Sequence, residues 1–312
     1  MQGLELARQY YEQYGRPLLE NQFSAQKNRI AVGLVGDGSE CFGFDDQISQ
    51  DHDWGAGFYF WLTPEDYQQI GAELQAAYQA LPSEFAGCPK RTSTEFDGER
   101  GGVWQIQTFY YHFLAMEQPP ATWQQWRSLP ESNLAAATNG EVFSDPLGEF
   151  TAFRNQLLEF YPEDLRLKKI AARCMIMGQA GQYNYVRSVV RKEWVAAHQA
   201  LSEFINAAVS AIYLANKRYK PFYKWMHRGL KSLPLGGEQF YEMFRNLTKC
   251  TNKPSPYEKN IQLIEDICQG IIALLQHLNL TESNSSFILD HAAFVQSRIQ
   301  DDSLKRLPLA AE

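Results

Sequence analysis

The residues best suited to chemistry are two carboxylates, Asp51 and Asp53, and the glycine-lined turn that precedes them in the stretch 36–55, GDGSECFGFDDQISQDHDWG. An apolar run over 30–35 predicts a strand that delivers the chain into Gly36, Gly38 and Ser39, where glycines free backbone N–H groups to face an anion. The Gly- and aromatic-rich segment 54–62 predicts a second strand. Residues two apart on a strand share a face, so Asp51 and Asp53 project together at its start while His52 points away. Paired carboxylates on one edge suit a hard, oxygen-seeking cation such as Mg²⁺. An anion cradle beside a cation site is what a nucleoside triphosphate requires.

This arrangement resembles the nucleotidyltransferase superfamily, which includes DNA polymerase beta and the antibiotic nucleotidyltransferases. The superfamily pattern is Gly-Ser, a further Gly, then Ser shortly before two acids. Gly38-Ser39, Gly43, Ser49, Asp51 and Asp53 supply it, with one extra residue between Ser49 and Asp51. A longer resemblance is to a bacterial family known as domain of unknown function 4037. It is carried by Trp123, the T-x-G-x-V-F-x-D of 138–145, Arg154, the Tyr-Pro-x-Asp of 161–164 and the Pro-Phe-Tyr-Lys-Trp of 221–225. The superfamily resemblance implies two-metal phosphoryl chemistry, with Asp51 and Asp53 holding Mg²⁺ and Gly38, Ser39 and Ser49 belonging to the nucleotide site.

The elements that must position these groups follow from periodicity. A first helix over 4–23 is expected, with a break near Gly15-Arg16-Pro17. Thr63-Pro64-Glu65 is a helix start, Thr as cap and Pro in the first turn, and that helix is expected to run to about Leu81. The polar stretch 82–102 has a candidate hairpin around Phe96-Asp97-Gly98. The segment 103–113, VWQIQTFYYHF, predicts the third strand of the sheet. It contains no carboxylate, whereas many superfamily members place a third acid on the corresponding strand. Glu99 and Asp145 are the candidates for that catalytic acid. Short helices are expected at 123–129 and 134–137.

From Pro146 onward the period changes to 3.6, with Leu147, Phe150, Phe153, Leu157, Leu158 and Tyr161 on one face and Pro162 ending the run. Further helices are expected over roughly 163–179, 183–217, 219–232, 237–250 and 256–279, with a last one after 283–286. The expected fold class is therefore α+β: a small nucleotidyltransferase-like mixed-sheet domain over 1–145, then an all-α helical bundle over 146–312.

Composition narrows the partners. The chain has 312 residues, of which 45% are hydrophobic and 21% charged, with a net charge of −7. Spread-out acids disfavour sequence-independent binding to nucleic acid. Five cysteines, widely spaced and without a C-x-x-C pair, indicate neither a disulfide framework nor a zinc site. With no basic, apolar leader and no run of membrane-spanning length, the expected setting is cytoplasmic, with no membrane partner.

Other polar residues carry competing readings. Arg187 and Arg191 share a helix face and would bind triphosphate if that face turned toward the acids; the bland reading is a solvated stripe. Lys224, among the aromatics of 221–225, is a candidate phosphate ligand. Asp45 and Asp46 read as surface acids, Cys41 as a small packing residue, and Trp54 as sheet packing. The six histidines, His112 included, show no ligand spacing and read as packed.

Two functional readings follow. In the first, the chain is a Mg²⁺-dependent nucleotidyltransferase that moves a nucleoside monophosphate, AMP from ATP being the expected case, onto a hydroxyl of a small molecule or a protein and releases pyrophosphate. In the second it is a catalytically degenerate nucleotide-binding sensor or interaction module, a reading motivated by the missing acid on the third strand.

Overall fold

A computed structural model describes residues 1–50, 54–91, 100–249 and 256–312. The described chain forms two compact units, Met1–Ala121 with Ser132–Glu159, and Thr122–Glu131 with Phe160–Glu312. The chain passes into the second unit for the last time at 159/160, whereas the expected boundary lies near 146. The reason is the helix that follows Pro146: its Phe150 stacks on Trp61 at 3.8 Å and its Phe153 on Tyr110 at 3.8 Å, so it completes the core of the first unit.

In the first unit, α1 (Gly3–Tyr10) continues through a widened π turn at Tyr11–Gly15 into α2 (Arg16–Gln22). The expected break at Pro17 is therefore a widening: Pro17 sits in the first turn of α2, where a missing N–H costs little. β1 (Ala31–Leu34) and β2 (Tyr59–Leu62) pair antiparallel, with Gly33 opposite Tyr59. Both strands are buried throughout, as strands covered on both faces must be. The strand expected over 54–62 is regular only from Tyr59, and the preceding described residues contribute a single bridge, Ala56 to Lys90.

α3 (Pro64–Gln79) starts where the sequence indicates, the Thr63 hydroxyl accepting from the Asp66 N–H at 3.2 Å. A two-residue hairpin, β3 (Glu84–Phe85) and β4 (Cys88–Pro89), turns at Ala86 and Gly87, both with positive φ. The hairpin expected around 96–98 lies outside the described residues. β5 (Gly102–Gln105) then pairs parallel with β2. The long third strand expected over 103–113 is corrected: after Gln105 the chain becomes α4 (Ile106–Leu114). Buried Ile106, Phe109, Tyr110 and Phe113 follow helical spacing, which outweighs the strand-like composition.

α5 (Trp123–Ser128) and α6 (Glu131–Thr138) lead to β6 (Glu141–Ser144), which pairs antiparallel with β1 and closes the sheet order β5-β2-β1-β6. The helix stacked on Trp61 and Tyr110 is α7 (Glu149–Leu158); its Phe150, Phe153 and Leu157 are buried, whereas Leu147 and Leu158 are exposed.

The second unit is helical. α8 (Glu163–Met177) passes through a π segment, Gly178–Tyr185, into α9 (Val186–Val190). α10 (Trp194–Ala215) begins anew after Lys192 takes a positive φ of 61°, so the single helix expected over 183–217 is divided. α11 (Tyr223–Gly229), α12 (Gly237–Thr248), α13 (Pro256–His277), α14 (Leu289–Ser297) and α15 (Asp302–Lys305) complete it. α8 packs against both α10 and α14. The architecture is the expected α+β one, a small mixed sheet followed by helices. No described helix is long and apolar enough to cross a membrane.

Candidate functional site

The candidate site is the turn that leaves the C-terminal end of β1. Gly36 and Gly38 adopt φ of 123° and 124°, a region open to glycine and strained for any other residue. A Cβ on Gly38 would also lie 2.5 Å from Glu40 Oε2. The turn is pinned by Asn139, whose Oδ1 accepts from the Gly36 N–H at 2.8 Å and whose Nδ2 donates to the Gly36 carbonyl at 2.7 Å. Arg154 Nη1 in turn donates to the Asn139 carbonyl at 2.6 Å. Among the described residues, the N–H groups of Asp37, Gly38 and Ser39 make no backbone or side-chain hydrogen bond. Three successive N–H groups without an internal acceptor form the kind of concavity that takes an anion.

The acids around this turn are engaged elsewhere. Glu40 is buried and pairs with buried Arg91 at 2.5 Å, while Arg91 Nη2 donates to the Asp37 carbonyl at 3.2 Å. Burial works against the Arg91 charge, but Glu40 overrides it and holds the guanidinium above its ordinary range. Asp45, expected at the surface, is buried: its Oδ2 accepts from the Gly3 N–H at 2.7 Å, at the start of α1, and from Trp54 Nε1 at 3.2 Å. That bond makes Trp54 a packed anchor. Burial pushes the Cys41 thiol far up, as its packing role requires. Asp37 is exposed and faces His112 of α4, Nε2 to Oδ2 at 3.6 Å; the pairing raises the His112 pKa. His112 is thus half-exposed and paired, not packed as expected.

The remaining expected site residues are distributed. Gly38 and Ser39 sit together in the turn. Ser49 lies in the same connection, its hydroxyl and N–H both directed at Asp46 Oδ1 at 3.2 and 3.1 Å. Asp51, Asp53 and Glu99 lie outside the described residues. Among the described residues no group of three or more His, Cys, Asp or Glu is placed to hold a metal ion. Asp145 follows β6. Because β6 runs antiparallel to β1, with Ser144 opposite Val32 and Glu141 opposite Leu34, Asp145 stands at the sheet end remote from the turn. Its oxygens accept from the Gly148 and Thr151 N–H groups at 3.0 and 2.7 Å, capping α7. A carboxylate so engaged has a structural role at the start of α7.

Arg187, Arg191 and Lys224 belong to the second unit and are exposed. Arg187 lies over the Tyr183 ring at 4.7 Å and donates to its hydroxyl at 2.5 Å, the geometry of a solvated helix face. The aromatic neighbours of Lys224 do not enclose it, since Phe222 and Tyr223 are themselves 45% and 65% exposed. Sequence reasoning missed Asn139, Arg91 and Arg154 as the groups that shape the turn. Asn139 and Arg154 lie in or beside the T-x-G-x-V-F-x-D stretch, which could have marked them.

Residues 126–226 match the family model described as Domain of unknown function (DUF4037). The match bears out the resemblance carried by 138–145, Arg154, 161–164 and 221–225. Among solved structures, the chain is similar to a nucleotidyltransferase-like protein from Exiguobacterium sibiricum 255-15, with a TM-score of 0.35 and 12% identity over 86% of this chain and 76% of that one. No curated protein matches.

Proposed function

We propose that the chain, similar over 126–226 to that family, is a nucleotidyltransferase that moves AMP from ATP onto a hydroxyl of a small molecule or a protein and releases pyrophosphate. The observation that carries this reading is the turn after β1: positive-φ glycines, a side-chain clamp from Asn139, and three successive N–H groups without internal partners. Such a turn holds phosphate oxygens through backbone donors that need no reorganisation. β2 begins beside it, because the antiparallel register sets Tyr59 against Gly33. The chain segment ahead of β2 carries Asp51 and Asp53.

In this reading Asp51 and Asp53 would hold Mg²⁺, which supplies charge neutralisation on the transferring phosphoryl group when bound. The described acids do not build that centre, since Glu40, Asp45 and Asp37 face Arg91, the start of α1 and His112. Gly38 and Ser39 would orient the phosphate, and buried Arg91 holds the turn in shape through the Asp37 carbonyl and Glu40.

A specific observation favours the second reading, a degenerate nucleotide-binding sensor or interaction module. β5, Gly102–Gln105, bears no carboxylate, and Asp145 is committed to α7. Melting temperature measured with each nucleoside triphosphate, with and without Mg²⁺, separates these readings, because a ligand of the folded state must raise it. A Mg²⁺-dependent shift with ATP that is lost in Asp51→Asn/Asp53→Asn, together with pyrophosphate release, is the result expected for the transferase. The same shift without pyrophosphate release supports the sensor. No shift with any nucleotide sinks the transferase and the nucleotide sensor and leaves the interaction module.

A further inference from the structure

The helical unit contains a buried cluster of charges that its own packing leaves incomplete. Lys169 and Arg173, one turn apart on α8, meet Lys220, which lies ahead of α11. Their counter-charges are Glu131 and Glu312. Glu131 accepts from Ser210 Oγ at 2.9 Å with each oxygen and lies 3.9 Å from Lys220 Nζ. Arg173 donates through Nε to Ser210 Oγ at 2.8 Å and pairs through Nη1 with Glu312. Lys220 Nζ also donates to Asn206 Oδ1 at 2.5 Å. Three largely buried cations thus share two carboxylates, an arrangement that favours a further anion.

The contrast between two adjacent lysines shows what is missing. Lys168 is wholly buried, and its ammonium reaches three acceptors: Gln296 Oε1 at 2.8 Å, the Leu307 carbonyl at 2.9 Å and the Pro308 carbonyl at 2.7 Å. That is a satisfied structural lysine. Lys169 is 5% exposed and, among the described residues, has no hydrogen-bond acceptor; its ammonium stands 5.2 Å from the Tyr161 ring centroid. The hydroxyl of Tyr161, itself 4% exposed, has no partner either. Glu312 Oε2 is likewise buried and makes no hydrogen bond, so this carboxylate is held through its other oxygen alone. Buried polar groups rarely stay unsatisfied without a reason.

We propose that Lys169, Arg173, Lys220 and the Tyr161 hydroxyl form a binding site for a phosphoryl dianion, with the Glu312 carboxylate standing where that ligand would enter. The charge count selects the ligand class. With Glu312 displaced, Lys169, Arg173 and Lys220 face Glu131 as their carboxylate, and Arg127 adds to the positive charge acting on Lys169; a phosphate dianion meets that excess better than a single carboxylate does. Arg173 supplies the planar fork suited to phosphate, and the two ammonium groups and the phenol supply further donors. Burial lowers the Lys169 and Lys220 pKa values, with Glu131 opposing that effect, and a dianion would reinforce the opposition. The site lies entirely in the helical unit and does not depend on the turn after β1.

The test is isothermal titration of the full chain with inorganic phosphate at about pH 8, where phosphate is a dianion, with ionic strength held constant by chloride. Saturable binding is expected in the wild type, tightened roughly tenfold or more by Glu312→Gln, which removes the resident charge. Lys169→Gln should weaken it by about tenfold or more, and Tyr161→Phe should weaken it less, giving a second reading if Lys169→Gln fails to fold. No saturable binding in either wild type or Glu312→Gln overturns the proposal. So does binding that survives both Lys169→Gln and Tyr161→Phe, which would place phosphate elsewhere. Succinate binding as tightly as phosphate would overturn the phosphoryl assignment.

Discussion

The Asn139 carboxamide spans Gly36, accepting from its N–H and donating to its carbonyl, and so joins the end of β1 to the residue pair that opens β6. Because both bonds come from one rigid group, the turn holds its shape without a ligand. Asn139→Ala removes both and leaves two backbone groups to find other partners, at an expected cost of about 1–3 kcal/mol. Asn139→Asp keeps the acceptor but sets a carboxylate oxygen against the Gly36 carbonyl, so its cost should be at least as large. Urea unfolding of the two variants checks the order. Equal stability of wild type and Asn139→Ala would show that the clamp contributes nothing.

The glycines around the turn differ in what they tolerate. Gly140 has φ of 61°, and a Cβ there would lie 2.0 Å from the Leu34 carbonyl oxygen. Gly140→Ala must therefore part β1 from β6, and a loss above about 3 kcal/mol is expected. Gly43 has a similar φ of 67°, yet a Cβ there meets nothing within 4 Å. Gly43→Ala should cost only the left-handed backbone penalty, about 1 kcal/mol. Thermal unfolding of the pair separates close approach from backbone conformation; similar losses would contradict the distinction.

Much of the fold was legible because its signals are local. Thr63-Pro64 announced α3 through capping chemistry, and the apolar run before Gly36 announced β1. The segment 103–113 misled because aromatic and β-branched content favours strands, while the spacing of Ile106, Phe109, Tyr110 and Phe113 was already helical. β6 is short and half-buried along its length, so it gave no alternation to read. Site partners such as Glu40 with Arg91, or Glu131 with Ser210, are distant in the chain, and no local pattern encodes which buried charge meets which. Asp145 looked catalytic by its place in a motif; antiparallel register, invisible before the sheet is assembled, puts it at the opposite end.

Acid sensitivity should follow Asp66. Arg29 donates to its carboxylate at 2.8 and 3.1 Å, and the Thr63 hydroxyl lies 2.9 Å away, so Arg29 first and Thr63 second hold its pKa below the ordinary carboxylate value. A carboxylate with a depressed folded pKa stabilises fully above its unfolded value, near about pH 4, and loses that contribution as pH falls through the lower folded value. Wild type should thus exceed Asp66→Asn in stability at neutral pH, and the gap should close below about pH 4. Denaturant midpoints at pH values on both sides check this. A gap that persists in acid would mean that Asp66 acts through packing alone.

The exposed pair Asp37 and His112 gives the candidate site a spectroscopic reporter. The Asp37 interaction raises the His112 pKa, so the ion pair is fully formed below the unfolded histidine value of about 6.5 and is lost as pH rises through the raised folded one. Both side chains are about half exposed, at 53% and 54%, so the contribution to stability stays below about 1 kcal/mol and the titration is the better observable. In an NMR titration Asp37→Asn should return the His112 midpoint toward its ordinary value. Nucleotide bound at the turn should instead raise the wild-type midpoint further, because phosphate charge near the imidazole favours the protonated ring, and linkage requires binding to strengthen as His112 protonates. A His112 midpoint that ignores both Asp37→Asn and saturating ATP would remove the histidine from the site.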